Sequence, residues 1–218
     1  MKKIQIYFMP GLGANSKIFE HISLPKDQFE IHLLEWKIPV SEDESIKDYA
    51  QRMAYEIKHQ NPVLLGVSFG GVLVQEIAKI IAVKKIILVS SIKSHHEFPN
   101  RLKLLQKTKA YKFFPTRIIE NFDKYKKYFL GDFLKKRADL YTLYLSVNDA
   151  LYLKWAIYTL LHWQQDKISE NILHIHGNND HVFPSKHIHN FTQINNGTHV
   201  MILLKAKEIS EIIIKSFN

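Results

Sequence analysis

The 218-residue sequence contains no cysteine. That absence excludes disulfides, thiolate metal sites and a cysteine nucleophile, and fits either redox compartment. The sequence also lacks any apolar run of the roughly 18 residues that a membrane-spanning helix requires. The start does not resemble a signal peptide: Ile4 to Met9 is too short for an apolar core and is ended by Pro10-Gly11. The expected location is therefore the cytoplasm. Acidic residues are outnumbered, 21 against 30 basic ones, giving a formal charge of +9. Such a charge raises the prospect of a nucleic-acid or membrane surface. The basic residues are spread along the chain, apart from a cluster at Lys124, Lys126, Lys127, Lys135, Lys136 and Arg137. No glycine-rich basic tail and no RNA-binding signature accompanies them. The expectation is solvated lysines and no nucleic-acid partner.

What is present reads as one domain with a full hydrophobic core, since 46% of residues are hydrophobic and 23% charged. Short apolar runs alternate with helical patterns, which predicts a parallel α/β architecture. Strands are predicted at 4–8, 29–34, 63–66, 85–89, 172–175 and 191–194. Helices are predicted at 43–59, 70–82 and 205–217, the first with Ile46, Tyr49, Ala50, Met53, Ala54 and Ile57 on one face. From about 93 to 167 the strand pattern stops. Aromatic and lysine-rich helical stretches, broken by Pro99, Pro115 and Gly131, predict a helical insertion. There is no internal repeat or low-complexity segment.

Four segments carry chemistry. Gly66-Val67-Ser68-Phe69-Gly70-Gly71 is a G-x-S-x-G pattern between a predicted buried strand and a predicted helix. A strand-to-helix turn this sharp crowds the backbone and needs glycine on both sides of the serine. It lifts the hydroxyl above the sheet and aims the first helical N–H groups at the same point. Asp180 follows the strand ending at His176, and His199 follows the next strand in Asn196-Gly197-Thr198-His199. Both therefore fall on loops at the carboxyl edge of an open sheet, where α/β sites are built. A serine hydroxyl needs a base, and that base needs a carboxylate to hold its tautomer. Pro10-Gly11-Leu12-Gly13 follows the first strand. The N–H groups of Leu12 and Phe69 are candidates for the two donors that an oxyanion requires. The loop lacks the lysine of a P-loop and the third glycine of a dinucleotide fingerprint, so no nucleotide cofactor is expected.

In this order and context the four motifs resemble the α/β-hydrolase superfamily, in the style of its small bacterial serine esterases. The resemblance covers nearly all of the chain outside the insertion. It implies a three-layer fold of about six parallel strands, with the N-terminal antiparallel pair missing. It implies a core formed by residues 1–92 and 168–218 and a helical cap at 93–167. It also implies Ser68 as nucleophile, His199 as base, Asp180 as the acid that orients it, and an oxyanion hole from the Leu12 and Phe69 amides. Two departures stand out. The chain begins at what would be the family's third strand. The family's usual histidine-glycine is here Pro10-Gly11, which is expected to loosen the anchoring of that loop while leaving its amides in place.

The resemblance implies cleavage of a carboxylic ester, with thioester, amide and carbon–carbon bonds open to the same machinery. The aromatics of the insertion, among them Tyr111, Phe122, Tyr128, Tyr144, Tyr152, Trp155 and Tyr158, fit an apolar acyl or aromatic substrate, or simply the cap's own core. His162 and Trp163, at the end of the insertion, are read as a helix-packing face or as lining of the pocket. Twelve histidines raise the question of a metal. His174-x-His176 with Asp180 and His181 is similar in part to the H-x-H-x-D-H motif of metallo-β-lactamase-like hydrolases, but three residues separate His176 from Asp180 where that motif has one. No metal is expected, and His95-His96 is read as solvated or capping. The alternative to an enzyme is a ligand receptor or signalling protein on a hydrolase scaffold.

Overall fold

The structure, a computed structural model, describes residues 2–113 and 143–217. Its centre is one sheet of six parallel strands: β1 (Ile4–Met9), β2 (Phe29–Leu33), β3 (Val63–Val67), β4 (Lys85–Val89), β5 (Ile172–Gly177) and β6 (Thr192–Ile194). Their order is β2-β1-β3-β4-β5-β6. The chain turns outward in one direction from β1 to β2 and in the other from β3 onward. Loops at the carboxyl ends of β1 and β3 therefore flank the switch point, where the crevice of an open α/β sheet forms.

Alternation along the strands builds two cores. Ile6 and Phe8 of β1, Val63, Leu65 and Val67 of β3, and Ile87 and Val89 of β4 face one side. Tyr7, Met9, Leu64, Ile86 and Leu88 face the other. Both sides are apolar because both are covered by helices, as a parallel sheet requires. The second face is covered by α1 (Ile46–Ala54), α2 (Phe69–Ile77) and α4 (Ala150–His162). The first is covered by the C-terminal pair α5 (Met201–Leu204) and α6 (Ala206–Lys215), together with a 3-10 turn at Ser16–Phe19. A further helix, α3, spans Asn100–Thr108. The result is three layers.

The six expected strands are all present, within a residue or two of their predicted limits. Helix limits differ more. The helix expected over 43–59 is Ile46–Ala54. Its start is set by Ser45, whose hydroxyl accepts from Asp48 N–H at 3.1 Å, a side-chain cap that the apolar periodicity does not register. Its end tightens into turns, with Glu56 N–H donating to Met53 O and Ile57 N–H to Ala54 O. The helix expected over 70–82 begins a residue early, immediately after Ser68, and gives way to turns after Ile77. The helix expected over 205–217 is Ala206–Lys215, and Lys205, with φ −125°, separates it from the short α5.

Within 93–167, α3 and α4 are helical as expected. The Lys124–Arg137 basic cluster, the breaks at Pro115 and Gly131, and the aromatics from Phe114 to Tyr141 lie outside the described residues. The described part of this segment does not stand apart from the sheet. Tyr152, Leu153, Trp155 and Ala156 of α4 are buried in the same cluster as Trp36, Tyr49 and Phe69. Trp163 is also buried, and its indole N–H donates to Glu76 Oε1 at 2.7 Å. No helix of the described residues is long and apolar enough to cross a membrane.

Candidate active site

Ser68 occupies the turn between β3 and α2 with φ 52° and ψ −120°. That is a conformation a non-glycine residue adopts only when its surroundings impose it. The surroundings are backbone. A methyl group on Gly66 would fall 2.6 Å from Gly71 Cα, and one on Gly70 would fall 2.6 Å from Met9 O. Neither position has room for a side chain, because the first turn of α2 is pressed against β3 and the end of β1. Ser68 is further tied to β4 by its N–H, which donates to Val89 O at 3.0 Å. Ser91 Oγ–H donates to Ser68 O at 2.7 Å. The hydroxyl is thus carried by a backbone with little freedom to move.

His199 Nε2 lies 2.9 Å from Ser68 Oγ, and His199 Nδ1 lies 2.8 Å from Asp180 Oδ2. The carboxylate can only accept, so Nδ1 carries the proton and Nε2 of the neutral ring is left to accept from the serine hydroxyl. This is the tautomer a general base needs. Asp180 is buried. Its Oδ1 accepts from Val182 N–H at 2.7 Å and Phe183 N–H at 2.9 Å. Burial pushes the carboxyl up, but the His199 charge, the His199 hydrogen bond and the Phe183 N–H together hold it below its ordinary value.

The Asp180 and His199 loops are fastened to one another. Asn179 N–H donates to Gly197 O at 2.9 Å, and Asn196 N–H to Asn178 Oδ1 at 2.7 Å. Gly177 and Gly197 lie so close that a methyl group on Gly177 would fall 2.8 Å from Gly197 Cα. The β5–β6 register, with Gly177 opposite Ile194, starts both loops at the same height.

Behind Asp180 stands His176, fully buried, whose Nε2–H donates to Phe183 O at 2.8 Å and lies 3.6 Å from Asp180 Oδ2. Burial lowers its pKa, and that of the neighbouring buried His174. Of this strand pair, His176 is the one beside the site. Its role as a brace for the 180–183 turn has no signature in the sequence.

The Pro10–Gly13 loop lies against the serine: a methyl group on Gly11 would be 3.5 Å from Ser68 Cβ. Phe69 N–H is in the first turn of α2, where no acceptor within the helix is available. The loop is not loosened by the missing histidine. Trp36 Nε1–H donates to Gly11 O at 2.8 Å. Gly13 N–H donates to Tyr152 Oη at 3.3 Å, and Val147 N–H to Gly13 O at 3.1 Å. Asn15 Nδ2 bonds Leu143 O and Ser146 Oγ, each at 2.8 Å. Side chains from distant segments replace the local anchor, and no motif marked them.

Among the described residues, one group could hold a cation: ligand atoms of His95, His96 and Asp166 lie within 4.8 Å of one another. It belongs to the protein surface and shares no residue with the Ser68–His199–Asp180 row. Two residues of the weighed metal motif, Asp180 and His176, are engaged with His199 and Phe183 instead.

The sheet order, the switch point and the three layers define an α/β-hydrolase fold. Solved structures agree over almost the whole chain. An esterase from Thermogutta terrifontis matches with a TM-score of 0.70 at 13% identity, covering 99% of this chain and 90% of that one. An esterase from Exiguobacterium antarcticum matches with 0.67 at 16%, covering 99% and 92%. A bromoperoxidase from Bacillus anthracis matches with 0.66 at 15%, covering 97% and 91%. No family model and no curated protein matches the sequence. At these identities the likeness is one of fold.

Proposed function

We propose that the protein is a serine hydrolase that cleaves a carboxylic ester through an acyl-enzyme on Ser68. The observation that carries this reading is the unbroken row Ser68 Oγ, His199, Asp180, with both hydrogen bonds inside 3 Å. The esterases among the similar structures support the same reaction class.

In the proposed reaction, Ser68 Oγ attacks the ester carbon while its proton passes to His199 Nε2. The Asp180 carboxylate, kept ionised by its neighbours, stabilises the resulting imidazolium. Charge that develops on the former carbonyl oxygen is met by the Leu12 and Phe69 N–H groups. The C–O bond to the alcohol then breaks, and the leaving oxygen takes the proton from His199. Water, deprotonated by the same nitrogen, attacks the acyl carbon, and the acid departs as Ser68 regains its proton. No cofactor or metal takes part in this scheme.

The substrate is proposed to be a small molecule with an apolar acyl or aromatic group, bound between the core and the 93–167 segment acting as cap. The test is reaction with an organophosphonate probe together with turnover of short p-nitrophenyl esters. Stoichiometric labelling that is lost in a folded Ser68→Ala variant is the expected result. Equal labelling of that variant would refute the assignment. A wild-type protein that neither labels nor turns over, yet holds a ligand, would favour the receptor alternative.

A further inference from the structure

We infer that Trp36 is a positioning residue for the oxyanion hole, fixing the peptide group of one donor and backing the side chain of the residue that supplies the other; this rests on the hydrolase reading of Ser68. Trp36 lies just beyond β2, in a stretch held at both ends. Leu34 N–H donates to Phe8 O at 2.9 Å, and Lys37 N–H to Tyr49 Oη at 2.9 Å. This pinning carries the indole, only 7% exposed, beneath the loop that follows β1.

Two contacts follow. The first is the 2.8 Å hydrogen bond from the indole to Gly11 O. Gly11 C=O and Leu12 N–H belong to one planar peptide group, and no peptide bond among the described residues is cis. In a trans peptide the C=O and N–H bonds point in opposite directions. A donor fixed on the carbonyl therefore turns the Leu12 N–H to the other side of the plane, away from the core. Ala14 N–H also bonds Gly11 O, at 3.0 Å, but Ala14 belongs to the same loop and moves with it. Trp36 is the bond that ties this carbonyl to the body of the protein. Losing it frees the peptide to rotate, and a flipped peptide would present its oxygen where a donor is needed.

The second contact reaches the other donor. The indole lies parallel to the Phe69 ring, with centroids 5.1 Å apart and planes inclined by 9°. Phe69 is the residue whose N–H is the second donor, and its side chain is fully buried. Tyr152, whose hydroxyl receives Gly13 N–H, packs on the same indole with centroids 5.3 Å apart. One side chain thus touches the supports of both amides. Such alignment acts on the transition state more than on the bound ester, because only the transition state carries full charge on the oxygen.

The test compares Trp36→Phe with Trp155→Phe. Phenylalanine keeps a ring against Phe69 but has no N–H. Trp155 is a matched reference for the hydrogen bond: it is buried in the same cluster and also packs on Phe69, with centroids 5.8 Å apart, a contact that phenylalanine keeps, but its indole donates to Glu44 O, at the same 2.8 Å, and not to the Pro10–Gly13 loop. Removing an oxyanion donor outright costs about 100- to 1,000-fold, so misaligning one is expected to lower kcat about tenfold. KM for a p-nitrophenyl ester should stay within about twofold. Inhibition by a boronic acid, whose adduct places a charged oxygen in the hole, should weaken by a factor similar to the loss in kcat. Trp155→Phe should lose thermal stability and keep kcat. Tyr152→Phe, which removes only the Gly13 contact, should shift kcat in the same direction by less. Unchanged kcat in a folded Trp36→Phe, or equal losses in Trp36→Phe and Trp155→Phe, would overturn the inference while wild-type turnover left the hydrolase reading intact. Absence of turnover and labelling in the wild type would instead remove the reading on which the inference rests.

Discussion

The two sides of the candidate oxyanion hole are built in opposite ways. The Phe69 side belongs to the β3–α2 turn, where Gly66 and Gly70 let backbone press on backbone and Ser68 is held by a bond to Val89 O and one from the Ser91 hydroxyl. Most of what shapes it lies within a few residues or on the adjacent strands β1 and β4, with the Trp36 ring behind Phe69. The Leu12 side belongs to a loop with little local support. It is held by Trp36, Tyr152 and the 143–147 stretch, from two segments remote in the chain. Steric exclusion makes the first side rigid, and directional hydrogen bonds to a buried aromatic layer hold the second. The lesson is that one site can combine a part that tolerates almost no substitution with a part that can be loosened by degrees.

The largest effect should come from the rigid side. Ser68→Ala is expected to lower the rate of ester cleavage by at least about 10⁴-fold with the fold retained, measured by steady-state kinetics and circular dichroism. Asp180→Asn should follow at about 10³- to 10⁴-fold, because the amide can donate to the ring and favour the wrong tautomer. A loss below tenfold in that variant would separate Asp180 from the row it completes by geometry.

Gly70→Ala probes the seam between the two sides, since the added methyl meets the end of β1 as well as Pro10. Overpacking of this kind typically costs about 1–3 kcal/mol. A lower urea midpoint with activity reduced out of proportion to stability is expected. An unchanged midpoint would mean that the turn has more room than its contacts imply.

The smallest effect concerns pH. His174 and His176 are held neutral by burial, with pKa values below those of the unfolded chain. A base with a depressed folded pKa binds more protons when unfolded. Its contribution is therefore complete above the unfolded pKa of about 6.5 and lost as pH falls below it. Asp180, whose folded pKa is also depressed, adds a loss of the same sign at lower pH, below about 3.9. The urea midpoint should decline from about pH 6.5 downward. His174→Phe should flatten the first part of the decline, because neither ring nitrogen of His174 has a hydrogen-bond partner in the described structure. A midpoint independent of pH between 7 and 5 would contradict this.

The rigid side was legible because its constraints are local. Gly66 answers a crowding set by the chain within five positions, Gly70 answers one set by the end of the adjacent strand, and β-branched runs mark strands that must be apolar on both faces. The order Ser68, Asp180, His199 could be read because each follows a strand and all strands are parallel. Helix limits were less legible, since the Ser45 cap and the break at Lys205 depend on hydrogen bonds that hydrophobic periodicity does not encode. The Pro10–Gly13 loop was expected to be weakly anchored, because Pro10 stands where the family has histidine; the anchors it has instead keep no fixed spacing from it.

The amino-acid sequence by itself determined the parallel α/β plan and which hydroxyl, imidazole and carboxyl would be candidates, because those depend on residue type, local spacing and strand polarity. Only the tertiary structure decided that the three meet within hydrogen-bond reach, that His176 braces the carboxylate turn, and that Trp36 stands under the opposite loop. Those depend on distances between segments far apart in the chain, which packing sets and no local pattern records.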